Sequence, residues 1–594
     1  MRPLHRLPGT AIYTSEVIMR LDVSTTPRVE RLTIPRLDAL AAAAPFDAIV
    51  IGSGMGGLAA AAALARIAGK RVLVLERHTK LGGFTHSFRR PGGFAWDVGL
   101  HYVGGMASGT QPRQLMDLVT GGDVTWAPLP TPYDQIDYPE WSCNAPAACP
   151  PAFADSSSAE SAEDDLDRRR FDRLMSRVAR WYGLDAWARA VPRWLSPCIR
   201  VAAGPYGRIA RETTSAVLAR TIRSPRSRVA LASQWSDYGV APASSAFGVH
   251  AVVMESYRTG AFYPVGGASA LVRAMARQIH AHGGQCVTGA EVTEIVVDAG
   301  GTAIGVRVWP TRRPPNAQPT FLAARRVISD AGARATYTTL LPPAARPAWA
   351  THLAREPQGL SAVVLFVGLS SSPSTVGITG ENRWLFRTED HDADATDALL
   401  AGHALRAYVS VGTQRDPSAA TAPPTAQVLA WVRPDAFDPW RTGDTPRHDA
   451  SYLELKARIT DALLTLVEER IPGFRRLVVH AELATPLTIE HFTGHAGGAC
   501  YGVPATPRRL SAPWIGARTP VRHLWLAGAD ACSPGIVGAM MGGMFAAGGV
   551  LGPLGFVQIL RHASANHAAN DTHVRSLSVR LEEASHVDYT PVYH

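Results

Sequence analysis

The sequence predicts an α/β chain built from two interleaved domains, and three observations carry that expectation. A strand-length apolar run, Phe46 to Ile51, leads straight into the turn Gly52-Ser53-Gly54-Met55-Gly56-Gly57. An alanine-rich helical stretch, Leu58 to Ala68, follows, and a second apolar run, Arg71 to Leu75, closes on Glu76. A segment of the same character, His523 to Ala527 with Gly528-Ala529-Asp530 behind it, recurs far downstream. Between the two lie three strand-like runs, Ala362 to Val367, Leu405 to Val411 and Val428 to Val432, separated by long polar loops. A parallel unit begun early and completed late, with a second sheet inserted between, explains this order.

Size agrees with that division, because 594 residues exceed what one core usually organises. The first 45 residues read as an extension. They hold no continuous apolar stretch, which argues against a secretory signal, and Glu16 and Asp22 argue against a transit peptide. Residues 46–135, 261–345 and 480–560 are expected to form a discontinuous dinucleotide-binding domain. Residues 136–260 and 346–479 are expected to form a discontinuous α+β substrate domain, and 561–594 a solvated tail. The polar stretch around residues 143–170, with its run SSSAESAEDDLDRRR, reads as a solvated loop. Helical patterning follows from Phe171 to about Ala219. Leu271, Met275 and Ile279 mark a helix between two Gly-Gly pairs, and Leu455, Ile459, Leu463 and Val467 mark another. Ile536 to Val557 is uncharged and long enough to span a bilayer, but its glycines and Pro553 favour a buried helix.

Composition excludes some functions. The 59 basic against 50 acidic side chains give a net charge of +9, scattered and almost wholly arginine, so no nucleic-acid partner is expected. The six cysteines form no CxxC pair and no zinc spacing with histidine, so no metal is expected. Cys143 and Cys149 are close enough in sequence to pair, but scattered thiols favour a reducing, cytoplasmic setting.

The glycine turn carries the cofactor argument. Gly52 permits the tight turn, Gly54 lets a pyrophosphate approach the backbone, and Gly57 lets helix and strand pack closely; Ser53 and Gly56 complete the loop. Glu76, 24 residues after Gly52 and at a strand end, is placed to accept hydrogen bonds from an adenosine ribose, with Arg77 beside it. An acid here favours NAD or FAD over NADP. Gly82-Gly83, close behind the second strand, and the late Gly528 and Asp530 favour FAD, with Val292 closing the adenine side. No second turn of this kind sits between a strand and a helix, so no separate nicotinamide domain is evident.

These stretches resemble a family. DAIVIGSGMGGLAAAAALA, VLVLERHTKLGGFTHSF, WDVGLHYVGGM, SDYGVAPASS, GAFYPVGG, TPLTIEHFTGHAGGACYG and LWLAGADACSPGIVGAMMGGMFAAG resemble the phytoene desaturase, carotenoid isomerase and retinol saturase superfamily of flavoproteins. Leu100-His101-Tyr102-Val103-Gly104 is closest to the retinol saturase-like subgroup. The resemblance implies an amine oxidase or phytoene desaturase-like fold, a Rossmann-like FAD-binding domain with a discontinuous α+β substrate domain. It implies FAD chemistry on C=C bonds of a long apolar polyene, with an electron donor or acceptor left unspecified. It also places His101 and Tyr102 near the flavin. With Tyr501, in a second glycine-flanked loop, they are the candidate proton donors. Asp97 is expected to order their loop, and His250 to be a core histidine. A desaturase or an isomerase remains an alternative, as does a prenyl or lipid carrier on the same scaffold. An apolar substrate also implies peripheral membrane contact.

Overall fold

The computed structural model describes residues 29–145, 159–312, 318–441 and 449–567. Two sheets organise them. The first is a six-stranded sheet in the spatial order Glu30–Arg31, Gln285–Thr288, Val72–Glu76, Ala48–Ile51, Val327–Ser329 and Leu524–Leu526, with every neighbouring pair parallel. Its central strands are apolar up to the terminal Glu76 because both faces are covered. Helix Met55–Ala68 follows the strand Ala48–Ile51 and is buried almost along its length. The late helix Gly535–Leu551 packs directly on it. This is the Rossmann-like half. The N-terminal extension is partly integral to it, since Glu30–Arg31 forms the edge strand; residues 1–28 lie outside the described residues.

The second sheet has seven strands, in the order Val478–Ala484, Ser361–Leu369, Thr425–Val432, Arg406–Ser410, Asn382–Phe386, Asp134–Asp137 and Ser142–Ala145. Neighbours are antiparallel except Asn382–Phe386 with Asp134–Asp137. Alternation along the strands sorts its two faces. Val363, Leu365, Val367, Leu385, Val409 and Val428 pack with helix Ala450–Arg470 into one core. The other face carries Phe366 and Trp431 at one end and Trp384, Phe386 and Tyr408 at the other. A helical layer covers the first of these and contributes Phe171, Trp235, Tyr238 and Phe247.

The expectation of a solvated loop over residues 143–170 needs correction. Ser142–Ala145 is an edge strand, and a 32-residue helix, Ala159–Ala190, takes up the rest, while residues 146–158 lie outside the described residues. Charge was read as solvation, but here it serves the helix. Asp165 and Arg169 pair across one turn at 2.7 Å, Asp167 accepts from Arg223 Nε at 2.8 Å, and Phe171 anchors the face. Cys143 is buried and free, and Cys149 is outside the described residues. The late apolar segment is a 17-residue helix bent by 118° from the following Gly555–His567. Among the described residues no single helix is long and apolar enough to cross a membrane.

Candidate active site

The glycine turn is a cradle made of backbone. Gly52 takes φ +91°, which only glycine adopts without strain. Substitutions cannot fit in this turn: a β-carbon on Gly56 would strike the Gly528 amide, and one on Gly57 the Gly52 carbonyl oxygen. The helix Met55–Ala68 starts at Gly54 with no side-chain cap from Gly54 itself, so the positive end of its dipole opens on this turn. Ser53, fully buried, ties three turns together. Its amide and hydroxyl donate to Glu76 Oε2 at 2.9 and 2.6 Å, and its Oγ accepts from the Gly82 amide at 3.0 Å. Gly83 stacks against Gly54, where a β-carbon would stand 3.3 Å from the Gly54 Cα.

The remaining expected cofactor residues lie around this cradle. Glu76 Oε1 accepts from the His78 amide at 2.7 Å, so the carboxylate fastens the turn as well as closing the strand. Arg77 reaches across to the His491 carbonyl at 3.3 Å. Val292 is half-buried in strand Ala290–Val297, packed against the first core. Gly528 lies against Gly56, and Asp530 is deeply buried. Asp530 accepts from the Ala333 amide at 2.8 Å and the Val503 amide at 3.0 Å, and it pairs at 3.1 Å with Arg509, itself fully buried.

One residue that the sequence reading missed stands at the centre. Asp330 follows the strand Val327–Ser329, and its side chain lies over Gly54, Gly57 and Gly528. Its Oδ2 has no hydrogen-bond partner, and although the Gly54 and Gly57 amides favour its charge, burial pushes the carboxyl up to about 7. The residue as a whole is half-buried, while Oδ2 itself is buried against the glycines. An uncapped helix start, glycines with no room for a β-carbon and an unpartnered acid lying over them fit a pyrophosphate-bearing cofactor.

A chamber adjoins the cradle through contiguous contacts. Gly83 abuts Gly54, Gly99 abuts Phe84, and the loop then delivers His101 and Tyr102. From the other side Gly502 abuts Asp530, which puts Tyr501 beside the same groove. The two loops, 400 residues apart, converge on Asp237. The Tyr102 hydroxyl lies 3.0 Å from Asp237 Oδ2 and 3.3 Å from Asp134 Oδ2. Tyr501 packs on Gly239 and faces Trp431, ring centres 5.6 Å apart, and the Asp237 charge acts on it. His101, Asp237, Tyr257 and Tyr501 are each half-buried and keep accessible surface, whereas Tyr102 is buried and reaches Asp237 through its hydroxyl.

Electrostatics separate the members. Asp134 accepts from Gln234 Nε2 at 2.7 Å and Asn382 Nδ2 at 2.6 Å; burial raises it only to about 6, since these donors and Arg415 favour its charge. Asp237 is raised well above the carboxylate range by burial and then by the Asp134 charge, and among the described residues Tyr102 is the side chain that hydrogen-bonds to it. His101 is lowered to about 3 by burial and by Arg415, which donates to its carbonyl at 2.9 Å. Its ring is therefore neutral near pH 7, with Nδ1 unpartnered. Asp97 orders the preceding loop, accepting from Ser87 Oγ at 2.6 Å and the Ala268 amide at 2.9 Å. His250 is a core residue bonded to Tyr238 at 3.1 Å. Among the described residues no group of histidine, cysteine and acidic side chains could hold a metal.

Comparison with known proteins agrees with this geometry. The model of the flavin-containing amine oxidoreductase family matches residues 215–551, and that of an NAD(P)-binding Rossmann-like domain matches residues 50–119. The chain is 28% identical to all-trans-retinol 13,14-reductase of Danio rerio over 84% of this chain and 85% of that one. It is 26% identical to the neurosporene-forming phytoene desaturase of Rhodobacter capsulatus over 83% and 92%. An oxidoreductase from Methanosarcina mazei superposes with a TM-score of 0.55 at 18% identity, covering 84% of this chain and 98% of that one, which shows a shared fold.

Proposed function

This chain belongs to the flavin-containing amine oxidoreductase family and takes FAD as its cofactor, and from that premise we propose that it reduces a C=C bond in a long apolar polyene of retinoid or carotenoid type. The observation that carries the reading is the chamber itself. Its half-buried members His101, Asp237, Tyr257 and Tyr501 are backed by the buried aromatics Tyr408, Trp384 and Trp431, and two loops join it to the cradle. Bound flavin supplies two-electron chemistry, a hydride exchanged at N5. The chain's residues do the rest. Gly52, Ser53, Gly54, Gly56 and Gly57 would hold the pyrophosphate at the helix start, with Glu76 and Arg77 towards the adenosine and Val292 at the adenine. Gly82, Gly83, Gly528 and Asp530 would line the flavin end. Conjugation suits this chamber, because a polyene spreads developing charge that an isolated alkene cannot, and the surrounding aromatic rings exclude water from the reacting carbons.

The test is anaerobic incubation of the flavin-reduced protein with a polyene, followed by mass spectrometry. A product two hydrogens heavier supports the reading. A product two hydrogens lighter under oxidising conditions would make the chain a desaturase, which the likeness to phytoene desaturase favours as second reading. An unchanged mass with altered absorbance would make it an isomerase, and a colourless protein retaining lipid would make it a carrier. Direction depends on the external electron partner.

The apolar substrate is gathered from an anionic lipid surface, and one face of the molecule suits that task. Trp194, Val201 and Leu554 are exposed by 71%, 83% and 67%. They sit on two adjoining corners, the turn and helix after Ala190 and the bend after Leu551, linked by Trp187 against Phe556 with ring centres 5.5 Å apart. Residues 185–211 carry five arginines, Arg189, Arg193, Arg200, Arg208 and Arg211, against the single Asp185, and four of them line a cleft of about 680 Å³. Apolar side chains ringed by arginine match a bilayer with anionic headgroups. Flotation with phosphatidylglycerol-containing vesicles should lose about tenfold in binding when Trp194, Val201 and Leu554 are all changed to serine, with Val479→Ser as the neutral control. Unchanged flotation, or a dimer that dissociates instead, would reject the lipid assignment.

A further inference from the structure

We propose that Asp237 is the catalytic proton donor of the chamber, with Tyr102 as the residue that positions it and couples it to Asp134. The inference deepens the reductase reading and rests on it. Three observations converge on Asp237. It keeps accessible surface, whereas Tyr102, the donor expected from sequence, is buried. Its two oxygens lie 3.1 and 3.0 Å from the Tyr102 hydroxyl, which also lies 3.3 Å from Asp134 Oδ2. One phenol thus bridges two buried acids. The acids are also unequally served. Asp134 accepts from the Gln234 and Asn382 amides and is balanced by Arg415, whose buried Nη2 has no partner. Asp237 has no cation and no amide within hydrogen-bonding reach among the described residues. Two carboxyls this close cannot both ionise in a desolvated site, so the proton resides on the less supported one.

The groups facing Asp237 are Tyr102 from its own loop, Asp134 and Tyr133 beside it, and Tyr238, Tyr257, Tyr408 and Tyr501 from the surrounding elements. The phenols are not bases at neutral pH, Asp134 near 6 is the weaker base of the two acids, and His101, neutral under Arg415, neither supplies nor removes the proton. The balanced step is then simple. Reduced flavin, when bound, would supply the hydride (two electrons and a hydrogen) to one alkene carbon and would itself be oxidised. The Asp237 O–H bond breaks, a C–H bond forms at the neighbouring carbon, and the C=C bond becomes single. Asp237 is left as a carboxylate, steadied by the Tyr102 hydroxyl until a solvent proton restores it.

The signature of this arrangement is a protonated carboxylic acid in the resting flavoprotein at neutral pH. Infrared spectra of the holoenzyme and of Asp237→Asn should differ by one protonated-carboxyl carbonyl band, present in the former and absent in the latter. In single turnover, Asp237→Asn should slow flavin reoxidation by polyene about a hundredfold with flavin content unchanged. Asp237→Glu should recover part of that rate. The wild-type rate should fall as pH rises through the Asp237 ionisation, and the Asn variant should lack this limb. Tyr102→Phe should shift the limb without abolishing turnover. If the band survives in Asp237→Asn, or the variant keeps rate and pH limb, the assignment is wrong. Where a variant does not fold, a wild-type spectrum with no protonated carboxyl that bleaches at alkaline pH overturns it equally. The infrared result does not depend on which polyene is turned over, so it separates failure of this assignment from failure of the reductase reading.

Discussion

The cradle and the chamber lie side by side but are built by opposite means. The cradle is backbone: a glycine turn, a helix start and the ends of parallel strands, with side chains admitted only to fasten it, as Ser53 does. The chamber is side chain: phenols, indoles and carboxyls projected from loops and strands that are distant in sequence. Backbone sites tolerate no added atom, whereas side-chain sites tolerate exchange of one group at a time. The first should therefore fail all at once under substitution, and the second by degrees.

The largest effect expected is at Gly56. A valine there would drive its β-carbon into Gly528, and because the contact is backbone against backbone nothing can rotate away. Gly56→Val should yield protein without visible flavin absorbance. Next comes the buried pair behind the cradle. Arg509→Met strands the Asp530 carboxylate, and chemical denaturation should register a loss of about 3–5 kcal/mol. A subtler break concerns Asp330. Its carboxyl titrates near 7 when folded and near 3.8 when unfolded, so the folded state binds the proton more tightly. The stability this contributes is complete below about pH 4, declines as pH rises and is gone above about 7. Asp330→Asn should remove that decline, so denaturation of the apoprotein at pH 5 and pH 8 should show the variant gaining on the wild type at the higher pH. The smallest effect is assigned to His101. A ring held neutral cannot act as a strong acid, and His101→Gln should change turnover by less than about threefold, within the range of lost packing. A hundredfold loss there would erase the division of labour between His101 and Asp237.

The same contrast explains what could be read in advance. The glycine turn, its strands and Glu76 were legible because their chemistry is local: tight turn, acid and helix fall within about thirty residues, and each constrains the next. The strands Ser361–Leu369 and Thr425–Val432 were legible by apolarity, but Asp134–Asp137 and Asn382–Phe386 were not. Their polar residues point inward to one another, as Asn382 does to Asp134, and so break the pattern that marks a strand. Asp330 carried no signal, because an aspartate after a strand looks like a turn residue until the fold lays it over the glycines. Tyr102 and Tyr501 stood out through their glycine-flanked loops. Asp237 lay within a recognised stretch, yet nothing local tells a buried acid from a solvated one; only its distance from Asp134 does.

The helix Gly535–Leu551 rests Gly543 on the Gly56 carbonyl of helix Met55–Ala68, while its neighbour Gly542 sits on Gly528. More than 450 residues of synthesis separate Gly56 from Gly543. At typical translation speeds, the earliest part of the nucleotide groove waits about half a minute to a minute and a half for its other wall. During that interval an alanine-rich helix is left bare on the ribosome. Chains that end early should thus emerge flavin-free and depend on chaperones, even when every residue of the opening glycine turn is intact.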